Sequence, residues 1–237
     1  PTVMVEVIGA ALLLGYLPGA LLFRLPFWQR DRRAALDAEE RVFWHVLLSV
    51  SWTLTLVLTL AALDLYRFER LLWITGGLVT TLAVSARGRL LYRSTAARLT
   101  WTAVLPLVLI GLALWRFFPV SEYIIGGRDP GVLINEGVQI AQRGSLLLRD
   151  PVVSDVPAYA RDLFFPQHYE DEYYGLRFMG MFVMDPRAGT VIGQFPHLFP
   201  ASIAVAYDLR GLTGARQAVA WWAILGVLAV YFLGKRW

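Results

Sequence analysis

A short glycine-rich segment presents a carboxylate where a ligand could approach the backbone closely. The segment is Gly126-Gly127-Arg128-Asp129-Pro130-Gly131. Its glycines remove side-chain bulk on both sides of Asp129, and Pro130 fixes the turn after the carboxylate. Asp129 can therefore accept a proton from a sugar hydroxyl. An Asp at this place is also typical of a helix cap, so the residues themselves leave both roles open.

A histidine between prolines and aromatic residues precedes the last apolar block of the chain. The segment is Gln194-Phe195-Pro196-His197-Leu198-Phe199-Pro200. Because flanking prolines restrict the backbone, His197 can be held in place to hydrogen-bond a phosphate or to bind a metal. The pattern is equally typical of an interfacial histidine beside an aromatic belt.

A third group joins a histidine to adjacent acids in one loop. It consists of His168, Tyr169, Glu170, Asp171 and Glu172. Carboxylates and a histidine can hold a divalent metal ion, although adjacent acids in a loop commonly just face solvent. No other cofactor is indicated, and the lack of cysteine excludes disulfides and thiolate metal sites.

The composition indicates that most of the chain lies in a membrane. Hydrophobic residues occupy 57% of the 237 positions, and the mean hydropathy is +0.53, more apolar than a soluble domain requires. Blocks of about 20 apolar residues can cross roughly 30 Å of hydrocarbon as helices. Five such helices are predicted, at 3–23, 43–65, 71–86, 99–118 and 218–233.

Arginine placement orients these helices. The loops 24–41 and 87–98 are rich in Arg, whereas the turn between the second and third helices carries only Arg67 and Arg70. Arg-rich loops stay in the cytoplasm, so residues 119–216 are expected outside. The expected organisation is a three-span region 1–93, a fourth span 94–118, an extracytoplasmic loop domain 119–216 and a fifth span 217–237. Basic residues used for topology and lipid head groups explain the pI of about 9.6 without nucleic-acid binding.

The outer loop begins and ends with regular structure. Residues 132–143 alternate apolar and polar side chains at near-helical spacing, with Glu136 among the polar ones and Gly144 as a stop. This pattern predicts a short amphipathic helix at the membrane surface. Two strands, 176–184 and 190–195, flank a Pro- and Gly-containing turn and predict a small β-hairpin.

Between the helix and the hairpin the chain is expected to be irregular. Pro151, Pro157 and Pro166 prevent a long helix over residues 150–174. The expected fold class is therefore an all-α integral membrane bundle of about five transmembrane helices. Its one large extracytoplasmic loop domain contains a surface helix and a small β-hairpin.

This order of features resembles the N-terminal module of GT-C type glycosyltransferases. These multi-span enzymes take sugars from polyprenyl-phosphate carriers, as protein mannosyltransferases and aminoarabinose transferases do. The likeness covers roughly residues 99–237 and rests on order and local pattern. It includes a span, an Asp early in a large outer loop, a surface helix, the proline-bracketed histidine and Gly211-Leu212-Thr213-Gly214-Ala215-Arg216 before a span.

The resemblance implies roles for the candidate residues. Asp129 matches the acid of the first outer loop, which is the catalytic base or orients the acceptor. Arg128 would stabilise the departing phosphate, and His197 would help to fix it. Stacking against the sugar ring would fall to Tyr169, Tyr173 and Tyr174. The implied donor is a polyprenyl-phosphate sugar, and the implied location is a bacterial inner membrane. The second acid used by some members has no obvious match.

A second function class remains open. The chain stops after what would be the second span of the module, as expected for a fragment or for a short relative. A truncated GT-C scaffold would serve as a non-catalytic accessory subunit that contacts lipids and other membrane subunits. Nine Trp, 13 Phe and 10 Tyr supply aromatic area for such interfaces. A channel or transporter is disfavoured, because no predicted span has an acid far from its ends.

Overall fold

The computed structural model describes residues 2–25, 32–33, 35–85, 101–118, 120, 129–165, 176–178 and 180–237. The helices are α1 (Thr2–Gly15), α2 (Leu17–Leu22), α3 (Ala38–Ala62), α4 (Phe68–Ser85), α5 (Val104–Phe117), α6 (Asp129–Arg143), α7 (Pro151–Asp155), α8 (Arg161–Phe164) and α9 (Leu198–Gly234). Two 3₁₀ turns cover Trp101–Ala103 and Ala158–Ala160. The strands are β1 (Leu148–Arg149), β2 (Leu176–Phe178), β3 (Met181–Asp185) and β4 (Thr190–Gly193).

The chain divides into two compact units. The helical unit comprises Pro1–Leu56, Glu69–Ser121 and Gln217–Trp237, and the mixed unit comprises Val57–Phe68 and Glu122–Arg216. All four described strands, together with α6, α7 and α8, belong to the mixed unit.

Within the described residues, three stretches of helix are long and apolar enough to cross a membrane. They are Met4–Leu22, formed by α1 and α2, Ala38–Ala62 and Leu198–Gly234. They coincide with or contain most of the first, second and fifth predicted spans and indicate a membrane protein.

The other two predicted spans correspond to α4 and α5, which are not among these three. Helix α4 has 18 residues, but its first turn contains the charged Glu69. Helix α5 has 14 residues and would be about 21 Å long at 1.5 Å per residue, less than the hydrocarbon core. A total of five spans therefore stays a prediction.

Helix α9 begins twenty residues earlier than the predicted fifth span. Its 37 residues are interrupted by non-helical backbone at Arg210 and Gly211, where the φ of Gly211 is 60°. This left-handed conformation favours glycine, which has no Cβ to clash. Residues 198–216, predicted as the last part of the loop domain, are thus helical apart from this interruption, and they belong to the mixed unit. Pro200 is compatible with the helix because it lies in the first turn, where no intrahelical N–H bond is lost.

Polar contacts hold the first helices of the helical unit together. The break between α1 and α2 lies at Tyr16, next to Pro18. The N–H of Gly19 donates to Ser49 Oγ at 2.8 Å, and Thr53 Oγ1 donates to the Leu14 carbonyl at 2.8 Å. Side chains of α3 thus satisfy backbone groups at the break, as required where water is scarce.

The mixed unit contains a four-stranded antiparallel sheet in the order β1-β4-β3-β2. The predicted hairpin is confirmed as β3 and β4. The single strand predicted at 176–184 is wrong, because Gly180, with a φ of 97°, separates β2 from β3. Val153, Phe165, Met181, Val183 and Val191 form the buried apolar cluster against the sheet.

The predicted amphipathic helix is confirmed as α6, although it starts three residues earlier than predicted. It ends at Arg143, and Gly144 follows with a φ of 75°. Its inner side includes Val132, Glu136 and Ile140, all buried. The backbone carbonyl of Gly144 accepts from the N–H of Tyr66 at 3.1 Å, which fixes the end of α6 within the mixed unit.

The segment expected to be irregular contains short helices in its described part. Pro151 and Pro157 lie at the starts of short helical segments. Pro151 starts α7, where its fixed φ is favourable and no N–H is needed, and Pro157 precedes a 3₁₀ turn. No helix in the described part is longer than five residues, as the prolines predict, but residues 150–165 form short helices and are not irregular throughout. Residues 166–174 lie outside the described residues.

Substitution of Gly19 tests the close approach of α2 to α3. An added Cβ would lie 2.7 Å from the backbone nitrogen of Ser49 and nearer still to the carbonyl oxygen of His45. We expect Gly19→Ala to lower the free energy of unfolding by about 1 to 3 kcal/mol, because backbone atoms must shift. Thermal unfolding in detergent measures the change. The matched control is Gly9→Ala, where nothing lies within 4 Å. Equal stability of the two variants would contradict this packing.

The hairpin turn depends on a carboxylate. Asp185 Oδ1 accepts from the N–H of Arg187 at 2.8 Å and of Ala188 at 3.2 Å. These bonds hold the pKa of Asp185 below its ordinary value. The stabilisation is therefore present above the ordinary pKa and is lost as the pH falls through the lowered one.

We expect Asp185→Ala to melt at lower temperature than the parent at neutral pH, with the difference vanishing in acid. Asp185→Asn keeps an acceptor that does not titrate, and it serves as the control. A difference between parent and Asp185→Ala that persists unchanged in strong acid would contradict the assignment.

Candidate functional site

A buried carboxylate and a half-buried imidazole meet in the mixed unit. Nδ1 of His197 lies 2.5 Å from Oε1 of Glu136, and the two groups share a hydrogen bond. The Glu136 side chain is 3% exposed, whereas that of His197 is 26% exposed. The Glu136 side chain is thus buried, and the His197 side chain is accessible to solvent.

Helix α6 carries Glu136 into the interior by its periodicity. Val132, Glu136 and Ile140 are spaced four residues apart and share one face. Gly137, which follows Glu136, allows α9 to approach α6. An added Cβ there would lie 2.5 Å from Ile203 and 2.7 Å from the Pro200 carbonyl oxygen. The helix therefore has no room to rotate Glu136 towards water.

The backbone of His197 is fixed by the start of α9. The N–H of Ala201 donates to the His197 carbonyl at 2.9 Å, which is the first bond of the helix. Three residues earlier, the N–H of Gln194 donates to the Gly180 carbonyl at 2.9 Å. His197 therefore lies on a short connection held at both ends, between β4 and α9.

The second oxygen of the Glu136 carboxyl is buried without a partner. Oε2 has no hydrogen bond to any described residue. Gly193 at the end of β4 packs directly against it, so that an added Cβ there would overlap the carboxyl group. Burial raises the pKa of Glu136, and the hydrogen bond and charge of His197 oppose the shift only in part.

Of the two predicted residues that the structure describes, only His197 belongs to this pair. Asp129 is the first residue of α6 and is exposed. It precedes Glu136 by seven residues, which is about 10 Å along a helix axis, and no hydrogen bond or ion pair joins Asp129 to His197. Arg128, Tyr169, Tyr173 and Tyr174 lie outside the described residues.

The predicted metal site cannot be placed, because Glu170, Asp171 and Glu172 also lie outside the described residues. Elsewhere in the described ranges, no three His, Asp or Glu side chains are grouped so as to hold a metal ion. The pair of Glu136 and His197 supplies two such side chains.

The sequence contains a signal that Glu136 is buried, although the amphipathic pattern predicts it as one of the polar positions. An acid four residues from Val132 and four from Ile140 lies on the apolar face and not on the wet one. A charged residue on that face has to be paired or neutralised. The sequence does not identify the residue that pairs with Glu136, because His197 is 61 residues away in the chain.

The pair can perform several kinds of chemistry. A carboxylate that binds one ring nitrogen orients the imidazole and supports positive charge on it. The second nitrogen is then free to move a proton or to bind an anion.

Comparisons with protein-family models, with curated proteins and with solved structures gave no match to this chain.

Replacement of Glu136 by glutamine tests the cost of burial. A carboxyl whose pKa is raised on folding binds more protons in the folded than in the unfolded state. The parent protein therefore loses stability as the pH rises from 4.5, the ordinary value for Glu, through the raised pKa. Glutamine does not titrate, so Glu136→Gln should gain stability relative to the parent over this range.

Thermal unfolding in detergent at several pH values measures this difference. Asp155→Asn, at an exposed acid of the same unit, should show no such trend. A Glu136→Gln variant that becomes steadily less stable than the parent as the pH rises would contradict the raised pKa.

Proposed function

We propose that the chain is a glycosyltransferase-like membrane protein that takes a sugar from a polyprenyl-phosphate carrier. Transfer would occur on the outer face of a bacterial inner membrane, with the mixed unit outside. The observation that carries the proposal is the imidazole of His197, held by a buried carboxylate with its second nitrogen uncommitted. Such a group suits the binding of a departing phosphate.

In the proposed reaction an acceptor hydroxyl attacks the anomeric carbon of the sugar. The new carbon–oxygen bond forms as the bond to the phosphate oxygen breaks, and the phosphate leaves with that electron pair. The hydroxyl proton passes to the Asp129 carboxylate as general base. His197 hydrogen-bonds the departing phosphate, and Arg128 and the three tyrosines keep their predicted roles.

The position of Asp129 supports the role of base. Its carboxylate is exposed at the first residue of α6, where an acceptor can reach it.

The fuller topology is also a proposal. Helices α4 and α5 carry large apolar side chains that face outward, with Trp73 81% and Trp115 77% exposed. Lipid is the solvent that would cover such side chains. This exposure supports α4 and α5 as the third and fourth spans.

A non-catalytic accessory subunit is the second candidate, and one surface of the mixed unit favours it. Tyr159, Leu163 and Phe164 are exposed to 90%, 83% and 64% within a few residues of each other in the chain. Adjacent exposed apolar side chains of this kind commonly mark a contact with another protein. This candidate predicts binding without turnover.

Donor turnover separates the two candidates. The protein in nanodiscs is given polyprenyl-phosphate mannose or polyprenyl-phosphate aminoarabinose, and release of polyprenyl phosphate is followed. We expect Asp129→Ala to reduce turnover about 100- to 10 000-fold, the usual contribution of a general base, while donor binding is kept.

Asp155→Ala, at another exposed acid of the mixed unit, is the matched control and should keep parental turnover. Absence of turnover in the parent protein with every donor would contradict the enzyme and favour the subunit. Equal loss of turnover and binding in Asp129→Ala would remove the role of base and leave Asp129 a ligand contact.

A further inference from the structure

The partnership of Glu136 with His197 points to a defined role for the buried acid. We propose that Glu136 is the positioning residue of His197: it accepts the Nδ1–H bond, fixes the imidazole and leaves Nε2 to bind a phosphate group. The ligand class is a phosphate ester, either a lipid phosphate or a soluble one. The inference rests on the proposed function and names the element that prepares its phosphate site.

The geometry restricts His197 to one arrangement. Its Nδ1 is committed to Oε1 of Glu136 at 2.5 Å. The second ring nitrogen, Nε2, has no partner within the described chain. A quarter of the side chain is open to solvent, so a ligand can reach the imidazole without displacing the buried acid.

The unpartnered oxygen of Glu136 is a second, independent observation. Oε2 is buried and makes no hydrogen bond to described residues, although a buried acid with a purely structural role is normally satisfied. Gly193 presses against the carboxyl group, and no larger residue would fit there without moving it. The packing thus holds the carboxyl group in one position although one of its oxygens has no hydrogen bond. This is expected of an acid that orients a partner.

The electrostatics fit an anionic ligand. An imidazole that is held at Nδ1 can offer an Nε2–H to a phosphate oxygen, and the hydrogen bond between a protonated imidazole and a phosphate is charge-assisted. Positive charge that appears on ligand binding is then balanced from inside the protein. Hydrogen bonds to charged groups contribute about 1.5 to 3 kcal/mol, which corresponds to roughly ten- to hundredfold in affinity.

The test is nitrogen NMR on the full chain in nanodiscs with ¹⁵N-labelled histidine. The chain has only three histidines, and a His197→Gln variant assigns the resonance of interest. For neutral His197 we expect the proton on Nδ1 and a bare Nε2 in the parent and in Glu136→Gln, because glutamine still offers an acceptor oxygen. Glu136→Leu should lose this tautomer preference. A parent protein with the proton on Nε2 overturns the inference.

A glycine variant disturbs the pair while both partners stay in place. Gly193→Ala forces the carboxyl group to move, and we expect it to weaken the tautomer preference as Glu136→Leu does. Gly226→Ala is the matched control, since nothing lies within 4 Å of that position. A Gly193→Ala protein with parental His197 resonances and parental phosphate affinity would contradict the positioning role.

Two phosphate probes distinguish the source of the ligand. Polyprenyl monophosphate is added to the nanodiscs in one series, and inorganic phosphate is added to the buffer in the other. We expect the lipid phosphate to shift the Nε2 resonance, with about ten- to hundredfold weaker binding in Glu136→Gln. Response to inorganic phosphate alone would support a phosphate site for a soluble ester. No response to either probe, or parental affinity in Glu136→Gln, overturns the inference.

These outcomes are separable from those of the donor assay. Phosphate binding through a positioned His197 without sugar release would leave the site intact and remove glycosyl transfer. If the parent protein releases sugar but phosphate never affects its Nε2 resonance, the proposal of glycosyl transfer stands and the positioning role of Glu136 is contradicted. We expect the Glu136→Gln protein to be more stable than the parent and to bind phosphate more weakly. A purely structural role of Glu136 would not combine these two effects.

Discussion

The buried carboxyl group of Glu136 is the constraint around which the mixed unit is arranged. An acid inside a protein costs free energy unless charge and hydrogen bonds compensate it. Here one imidazole offers compensation, and one carboxyl oxygen has no described partner. Because His197 is held at the start of α9 and Glu136 at the middle of α6, the pair ties two elements that are far apart in sequence.

Three glycines make this arrangement sterically possible. Gly137 lets α6 approach Ile203 of α9, and Gly193 lets β4 approach the Glu136 carboxyl group. The third, Gly180, has a φ of 97° and separates β2 from β3. It also packs against Val132 and so allows α6 to lie close to the sheet. Helix α6 therefore contacts both the sheet and α9 at distances that no larger residue allows.

The helical unit meets a different constraint, the scarcity of water around its backbone. The break at Tyr16 leaves groups that α1 and α2 cannot satisfy by themselves, and side chains of α3 supply some of the missing bonds. At the other end of the unit, Lys235 pairs with Asp37 at 2.5 Å and Arg236 pairs with Glu40 at 2.5 Å. Polar contacts thus specify helix neighbours where apolar surface alone is unspecific.

The sequence by itself determined the features that depend on local periodicity and composition. These are the apolar helices, the amphipathic helix with its stop at Gly144 and the hairpin, together with His197 as a candidate residue. Proline and glycine were less informative, because Pro151 starts a short helix in a segment expected to be irregular, and Gly180 divides a predicted strand. Only the tertiary structure decided that Glu136 is buried and that His197 is its partner. The reason is physical: a pairing across 61 residues depends on how closely α6, β4 and α9 can pack, and no local pattern contains that information.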